Sequence, residues 1–235
     1  MKKIVSVAAV AVATAFFTAI TLCLRILAAP QAVFSLADKG MRIVLDAGHG
    51  GIDGGVTGKA TGVKESDLNL QITMKIKDVL EDLGFDITLT RKTQMGLYDT
   101  TAKGFKKRDM QKRKKIIQAA DPALVISVHQ NFYPSRSSRG AQVFYKKAYK
   151  EGEKFALALQ ETLNGLYLLE GVKGRNAVGA EFFMLECADC PSVIVECGFL
   201  SNASDEKLLI DEVFQRRLAE TIGVGVMAYF SPSVS

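Results

Sequence analysis

The two histidines of this chain, His49 and His129, are the side chains best suited to carry chemistry. His49 lies in a glycine-rich turn after the apolar run at residues 43–45, and His129 directly follows the apolar run at residues 123–128. Both runs predict buried strands. In open α/β sheets, ligands bind in the crevice outside the carboxyl ends of the strands. One such histidine would more often be an ordinary hydrogen-bonded turn residue, but two in the same topological position predict a site.

Two carboxylates extend this set. Glu65 stands between the glycine-rich loop at residues 51–62 and a predicted helix, and Glu196 ends the apolar run at residues 192–195. Taken alone, Glu65 could be an acidic residue favoured by the helix dipole, and Glu196 could be an exposed residue at a strand end. Together with the two histidines they indicate one crevice.

Two histidines and two carboxylates form one set of residues that can build a zinc hydrolase. A catalytic zinc takes three protein ligands and keeps its fourth position for water. The metal acidifies that water and polarises a carbonyl, and a separate carboxylate moves the proton to the leaving amine. We therefore expect one zinc ion on His49, Glu65 and His129. Glu196 is then the base, and Asp46 is a candidate hydrogen-bond partner for a histidine N–H.

Other enzyme classes fit the sequence less well. The His-Glu-x-x-His motif of thermolysin-like enzymes is absent, as are the Gly-x-Ser-x-Gly elbow of serine hydrolases and the phosphate-binding loop. Ser127, the serine nearest a histidine, lies within a predicted buried strand. Cys197 follows Glu196 directly, and its position just beyond an apolar strand favours a packing role.

The remaining cysteines leave the redox state open. Cys187 and Cys190 form a Cys-x-x-Cys pair that can close a small disulfide loop, which would leave Cys197 unpaired. A structural zinc site needs four nitrogen or sulfur ligands, and these three cysteines are too few.

Strands and helices alternate along the chain from residue 41 onward. This order predicts one α/β domain with a mostly parallel central sheet and helices on both faces. The strands are predicted at residues 43–45, 85–89, 123–128, 140–145, 181–185 and 192–195, and the helices at residues 66–83, 106–120, 151–168, 202–210 and 213–230.

The helix at residues 106–120 is strongly basic. We expect a solvated face, and the alternative is contact with an anionic polymer or a membrane surface. Beyond residue 40 the chain carries 26 basic and 24 acidic residues, so the folded part is nearly neutral. This balance argues against a general nucleic-acid-binding protein.

The N-terminus predicts export. Lys2 and Lys3 precede an apolar run at residues 4–24, which exceeds the roughly 7–15 residues of a signal-peptide core and reaches the ~20 residues that span a bilayer. We predict a signal peptide or membrane anchor at residues 1–27, a linker at residues 28–40 and the catalytic domain at residues 41–231. Cleavage and retention of the leader remain open alternatives, and in both cases the domain is exported.

Four motifs, in order, carry a family resemblance: LDAGHGG at residues 45–51, Lys64-Glu65 before a helix, SVHQN at residues 127–131 and VECGFLSN at residues 195–202. With these motifs the chain resembles the zinc-dependent N-acetylmuramoyl-L-alanine amidases of the type-3 family, over about residues 41–230. The last motif is most similar to that of the spore-cortex, germination-specific amidases of endospore formers.

The resemblance implies hydrolysis of the amide between N-acetylmuramic acid and the L-alanine of peptidoglycan stem peptides. It implies zinc on the His49, Glu65 and His129 set and a catalytic carboxylate at Glu196. Asn131 and Arg113 are further candidates for contacts with the ligands or the substrate. Gln118 departs from the asparagine usual in the family, which affects contacts at the end of the basic helix rather than the metal.

The resemblance also implies a biological setting. In the spore subgroup, removal of the stem peptide precedes formation of muramic-δ-lactam, which germination requires. We expect peptidoglycan as substrate, a membrane contact through the N-terminal segment and a location between mother cell and forespore. No wall-binding module is recognisable, so an activating protein partner that strengthens zinc binding is a further expectation. The alternative is a catalytically silent peptidoglycan-binding module of the same fold.

Overall fold

Two apolar runs form neighbouring strands at the centre of the sheet. The computed structural model describes residues 40–231, and the predicted leader and most of the predicted linker lie outside them. Strands β1 (Arg42–Ala47) and β3 (Leu124–Asn131) pair in parallel, with Val44 opposite Val125. Strands whose two faces are both covered contain nearly continuous apolar residues, as these two do.

The sheet has six strands in the order β2-β1-β3-β6-β4-β5. The four strands β2, β1, β3 and β6 run parallel, whereas β4 is antiparallel to β6 and parallel to β5. This confirms the predicted mostly parallel sheet. The bounds of the other strands are Asp86–Leu89 for β2, Gln142–Lys146 for β4, Val178–Ala180 for β5 and Ser192–Phe199 for β6.

Helices cover both faces of the sheet, as predicted. Because side chains alternate along a strand, Ile43 and Leu45 of β1 face the larger apolar core and Val44 faces a smaller one. The larger core packs against α1 (Glu65–Asp82), α3 (Lys150–Leu169) and α5 (Glu212–Phe230). The smaller core packs against α2 (Phe105–Ala120) and a one-turn 3-10 helix (Phe183–Glu186), while α4 (Ala203–Leu209) follows β6. No helix within residues 40–231 is long and apolar enough to cross a bilayer.

The strand predicted at residues 181–185 is wrong. The structure places β5 three residues earlier and folds Phe183–Glu186 into the 3-10 helix. A short apolar run does not by itself distinguish a strand from a helical turn. Here Met184 and Leu185 fill the smaller core, and Phe182 and Phe183 remain 45% and 40% exposed.

Candidate active site

The turn that carries His49 is fixed by two buried arginines. Arg113 of α2 donates hydrogen bonds to the carbonyl oxygens of Ala47, at 2.7 Å, and His49. Arg91, which follows β2, donates to the carbonyl oxygens of Ala47 and Gly48 at 2.8 and 3.0 Å. His49 itself has φ +61°, an uncommon value for a residue other than glycine. The guanidinium groups therefore hold the turn in the conformation that presents the imidazole.

Glu65, the first residue of α1, is buried between the two histidines. Its Oε1 lies 2.9 Å from Nδ1 of His129 and 3.3 Å from Nε2 of His49, and its Oε2 accepts a hydrogen bond from the N–H of Val56 at 2.9 Å. Burial alone would raise the pKa of Glu65. The hydrogen bonds and charges of the two histidines outweigh burial and hold that pKa well below its usual range, so the carboxylate is ionised.

These three side chains form a group that fits a metal ion. Their ligating atoms all lie within 4.8 Å of one another, and no other cluster of this kind occurs within residues 40–231. Two imidazoles and one carboxylate are the donor set of many catalytic zinc sites, which leave a fourth position for water. The structure thus brings together His49, Glu65 and His129, which the sequence places far apart.

The glycine-rich motifs allow the backbone to pack directly against these three side chains. A Cβ atom at Gly48 would overlap the ring of His129, and a Cβ atom at Gly55 would overlap the carboxylate of Glu65. Glycine is required where backbone must approach another group this closely. The loop is also anchored at its far end, because Glu206 of α4 accepts hydrogen bonds from the N–H groups of Ala60 and Thr61.

Asp53 is the hydrogen-bond partner of His49. Its Oδ2 lies 3.0 Å from Nδ1 of His49, and its Oδ1 lies 2.9 Å from Nζ of Lys106 on α2. The sequence-based choice of Asp46 for this role is wrong. The Asp46 carboxylate bonds neither histidine, because it is buried behind the turn and is occupied by Arg113, Thr90 and Ser127.

We expect Asp53→Ala to weaken zinc binding by about 10–100-fold, the usual effect of losing a carboxylate that orients a metal-binding histidine. The Nδ1 hydrogen bond fixes the ring so that Nε2 faces Glu65. A competition titration with a chromogenic chelator measures the zinc Kd. Asp99→Ala is the matched control. Asp53 and Asp99 each pair with a lysine of α2, but the pair of Asp99 with Lys112 is exposed. Equal zinc Kd values for the two variants would contradict the role given to Asp53.

Glu196 lies directly beside His129. The two residues are register partners on the adjacent parallel strands β6 and β3, so their side chains leave the same face of the sheet. Oε2 of Glu196 is buried and has no hydrogen-bond partner within residues 40–231. Burial raises the pKa of Glu196 to about 7; the charge of Glu65 adds to this, and the two histidines oppose it. A carboxyl group with a pKa near neutrality is suited to accept a proton and return it.

A cleft of about 380 Å³ opens from this group of residues. His49, His129 and Glu196 lie at one part of its lining, and Ile194 contributes to the apolar part. Most of its walls are apolar, with Tyr98, Phe105 and Met110 from α2 and the preceding loop, and Phe182, Phe183 and Met184 from the 3-10 segment. The segment for which the sequence wrongly predicted a strand is therefore a wall of the cleft.

Arg113 and Asn131 are the two remaining residues that the sequence nominated for contacts with the ligands or the substrate. Arg113 is only 1% exposed, and its guanidinium is engaged by Asp46, Asp109 and the carbonyls of the His49 turn. Asn131 is the last residue of β3, where its carbonyl oxygen accepts the N–H of Leu200, and it is not among the described residues that line the cleft.

The cysteines stand apart from this chemistry. Cys187 and Cys197 are buried and Cys190 is half-buried, all three as free thiols. Burial raises the pKa of Cys197 far above its usual value, which suits packing in the larger core.

Comparisons with known proteins agree with the geometry. The family model described as N-acetylmuramoyl-L-alanine amidase (Amidase_3) matches residues 43–228. The germination-specific N-acetylmuramoyl-L-alanine amidase of Bacillus subtilis is 33% identical over 201 residues, which cover 84% of this chain and 83% of that protein. The amidase AmiA of Escherichia coli is 31% identical over 232 residues, covering 80% and 75%.

A solved structure extends the likeness to the fold. The CwlD amidase from Clostridioides difficile, determined in complex with the GerS lipoprotein, has a TM-score of 0.76 and 34% identity, covering 80% of this chain and 98% of that one. The resemblance seen in the four motifs is thereby confirmed. The chain belongs to the N-acetylmuramoyl-L-alanine amidase family and is an enzyme of that class.

Proposed function

We propose that this chain is a zinc-dependent amidase that separates stem peptides from N-acetylmuramic acid in spore-cortex peptidoglycan. The observation that carries the proposal is the convergence of His49, Glu65 and His129 on one point, with Glu196 beside them in the same cleft. All four residues are present, and Glu196 is the register partner of His129, which disfavours a catalytically silent binding module.

Each residue has a distinct task in this proposal. His49 and His129 would hold the zinc through ring nitrogens, and Glu65 through its carboxylate, which the N–H groups of Val56 and Gln130 keep in place. The chemistry that zinc supplies when bound is Lewis acidity toward the amide carbonyl and a water molecule. Glu196 accepts the proton of the attacking water at its unpartnered oxygen and passes it to the departing amine of L-alanine.

The relatives support the biological setting that we propose. The germination-specific relative from Bacillus subtilis supports a role in germination. We propose that this role is muramic-δ-lactam formation at the cortex, between mother cell and forespore. We also propose a leader or anchor at residues 1–27, a linker at residues 28–40 and a catalytic domain at residues 41–231. The complex of CwlD with the GerS lipoprotein supports a protein partner for this chain. We propose in addition that this partner strengthens zinc binding.

The test is zinc content and peptide release by the full-length chain on purified, peptide-bearing cortex glycan. We expect about one zinc per chain and new free N-terminal L-alanine, with release lost after chelation and restored by zinc. The control is the same chelated protein given Mg²⁺, which prefers oxygen ligands and octahedral geometry. A zinc-loaded chain that releases no L-alanine peptide, with or without candidate lipoprotein partners, would overturn the proposed reaction.

A further inference from the structure

Lys106 and Met110 of α2 line the cleft, and Lys114 lies one helical turn beyond Met110. Lys106, Met110 and Lys114 are spaced four residues apart, so they form a row on one face of the helix. Lys106 pairs with Asp53 at the His49 end of the cleft. Eight residues further, at 1.5 Å per residue, Lys114 lies about 12 Å along the helix axis. Its Nζ is 5.9 Å from the ring centroid of Phe183 on the opposite wall.

Lys114 is the unneutralised cation of this row. Lys106 of the row pairs with Asp53, and the neighbouring Lys112 and Arg113 also have carboxylate partners. Within residues 40–231, no carboxylate oxygen lies within 4 Å of Nζ of Lys114. The side chain is half-buried beside Phe183, which lines the apolar cleft. A cation in such a place attracts an anion more strongly than one in bulk water.

The glycan half and the peptide half of the substrate differ in charge. This difference decides which half fits the cleft wall that ends at Lys114. The lactyl carboxyl group of muramic acid is itself the acyl part of the scissile amide, so the glycan half has no free carboxylate there. The peptide half begins with the small apolar side chain of L-alanine and ends in a free carboxylate. Apolar walls that end at a cation are complementary to the peptide half.

We propose that the α2 wall of the cleft binds the stem peptide and that Lys114 receives its C-terminal carboxylate when the stem is three or four residues long. This inference rests on the proposed function. An extended peptide covers about 3.3–3.6 Å per residue, so the ~12 Å between Lys106 and Lys114 corresponds to three or four residues. The basic helix thus acts in substrate selection, as a specificity device for stem length.

The experiment compares Lys114→Gln with Lys115→Gln in the full-length chain. Lys115 is the next residue along and is exposed, so its variant loses the same charge on another face of the helix. One set of substrates is glycan fragments with stems of two, three or four residues that end in a free carboxylate. The other set has the three- and four-residue stems with the C-terminal carboxylate converted to an amide. Steady-state kinetics give kcat and KM for each pair.

We expect Lys114→Gln to raise KM about 3–10-fold on the three- and four-residue stems with free carboxylates, because one partly desolvated ion pair is lost. We expect the kcat of Lys114→Gln to be unchanged, and its KM to change by less than about twofold on the amidated stems and on the two-residue stem. For Lys115→Gln we expect KM to change by less than about twofold on every stem. Equal effects on free and amidated stems, or equal effects of the two variants, would overturn the inference. Absence of release from every stem by the zinc-loaded unsubstituted chain, with or without candidate lipoprotein partners, would instead overturn the proposed function.

Discussion

Glu196→Gln is expected to lower kcat/KM for stem-peptide release by about 10³-fold while zinc stays bound, since a positioned general base contributes about 10²–10⁴-fold. Glutamine keeps the shape of the side chain but cannot take the proton of the attacking water. Glu196 is separate from the cluster of ligating atoms, so its replacement leaves the three ligands intact. Burial already raises the pKa of Glu196 to about 7, and this environment accepts a neutral amide at little cost to folding.

The measurement pairs metal analysis with kinetics. Zinc per chain comes from elemental mass spectrometry, and release comes from counting new N-terminal L-alanine groups. Glu186→Gln is the matched control, because Glu186 is an exposed glutamate of the 3-10 helix. Activity within about tenfold of the unsubstituted chain would remove Glu196 from proton transfer. Loss of zinc together with activity would place Glu196 among the ligands.

The sheet and the convergence of four side chains were predictable from the sequence. Runs such as residues 43–45 and 123–128 have no polar alternation, which indicates strands covered on both faces. Parallel strands bring their carboxyl ends to one edge, so His49, His129 and Glu196 had to lie near one another. The structure adds that β3 continues past His129 and β6 continues past Glu196. The two residues are therefore direct neighbours on paired strands.

The residues that orient the ligands were not predictable in the same way. Arg91 and Arg113 reach the His49 turn from after β2 and from α2, and nothing in the local sequence indicates which carbonyls they bind. Asp53 had a signal, because it lies four residues after His49 in the same glycine-rich turn. Asp46 directly follows the apolar run, and side-chain alternation directs it toward Ser127 and Arg113 rather than toward a histidine.

Arg113→Met is expected to destabilise the fold by about 3–5 kcal/mol, the usual effect of removing one partner of a buried ion pair. Nη1 of Arg113 lies 2.6 Å from Oδ1 of Asp46, and Nε lies 2.6 Å from Oδ2 of Asp109. Methionine fills similar space but leaves the buried Asp46 carboxylate without its cation. Urea unfolding at pH 7 measures the free energy of unfolding, and a loss below ~1 kcal/mol would contradict this role.

The pH dependence of this effect has a defined sign. Burial would raise the pKa of Asp46, but the charge of Arg113 and the hydrogen bonds from Ser127 and Thr90 outweigh it and lower that pKa to about 2. A depressed folded-state pKa contributes stability above the unfolded value of 3.8, and this contribution is lost as the pH falls toward 2. The variant lacks that contribution, so the difference in unfolding free energy between the two proteins should be largest near pH 7 and shrink below pH ~4.

A double variant, Arg113→Met with Asp46→Asn, separates support of the fold from support of the site. Removing the stranded charge should recover part of the lost unfolding free energy, because the two residues are directly coupled. Amidase activity should not recover to the same extent, since the carbonyl oxygens of Ala47 and His49 still lack the guanidinium that holds the turn. Recovery of both would mean that Arg113 serves the fold alone. Recovery of stability without activity would show that Arg113 positions the turn that carries His49.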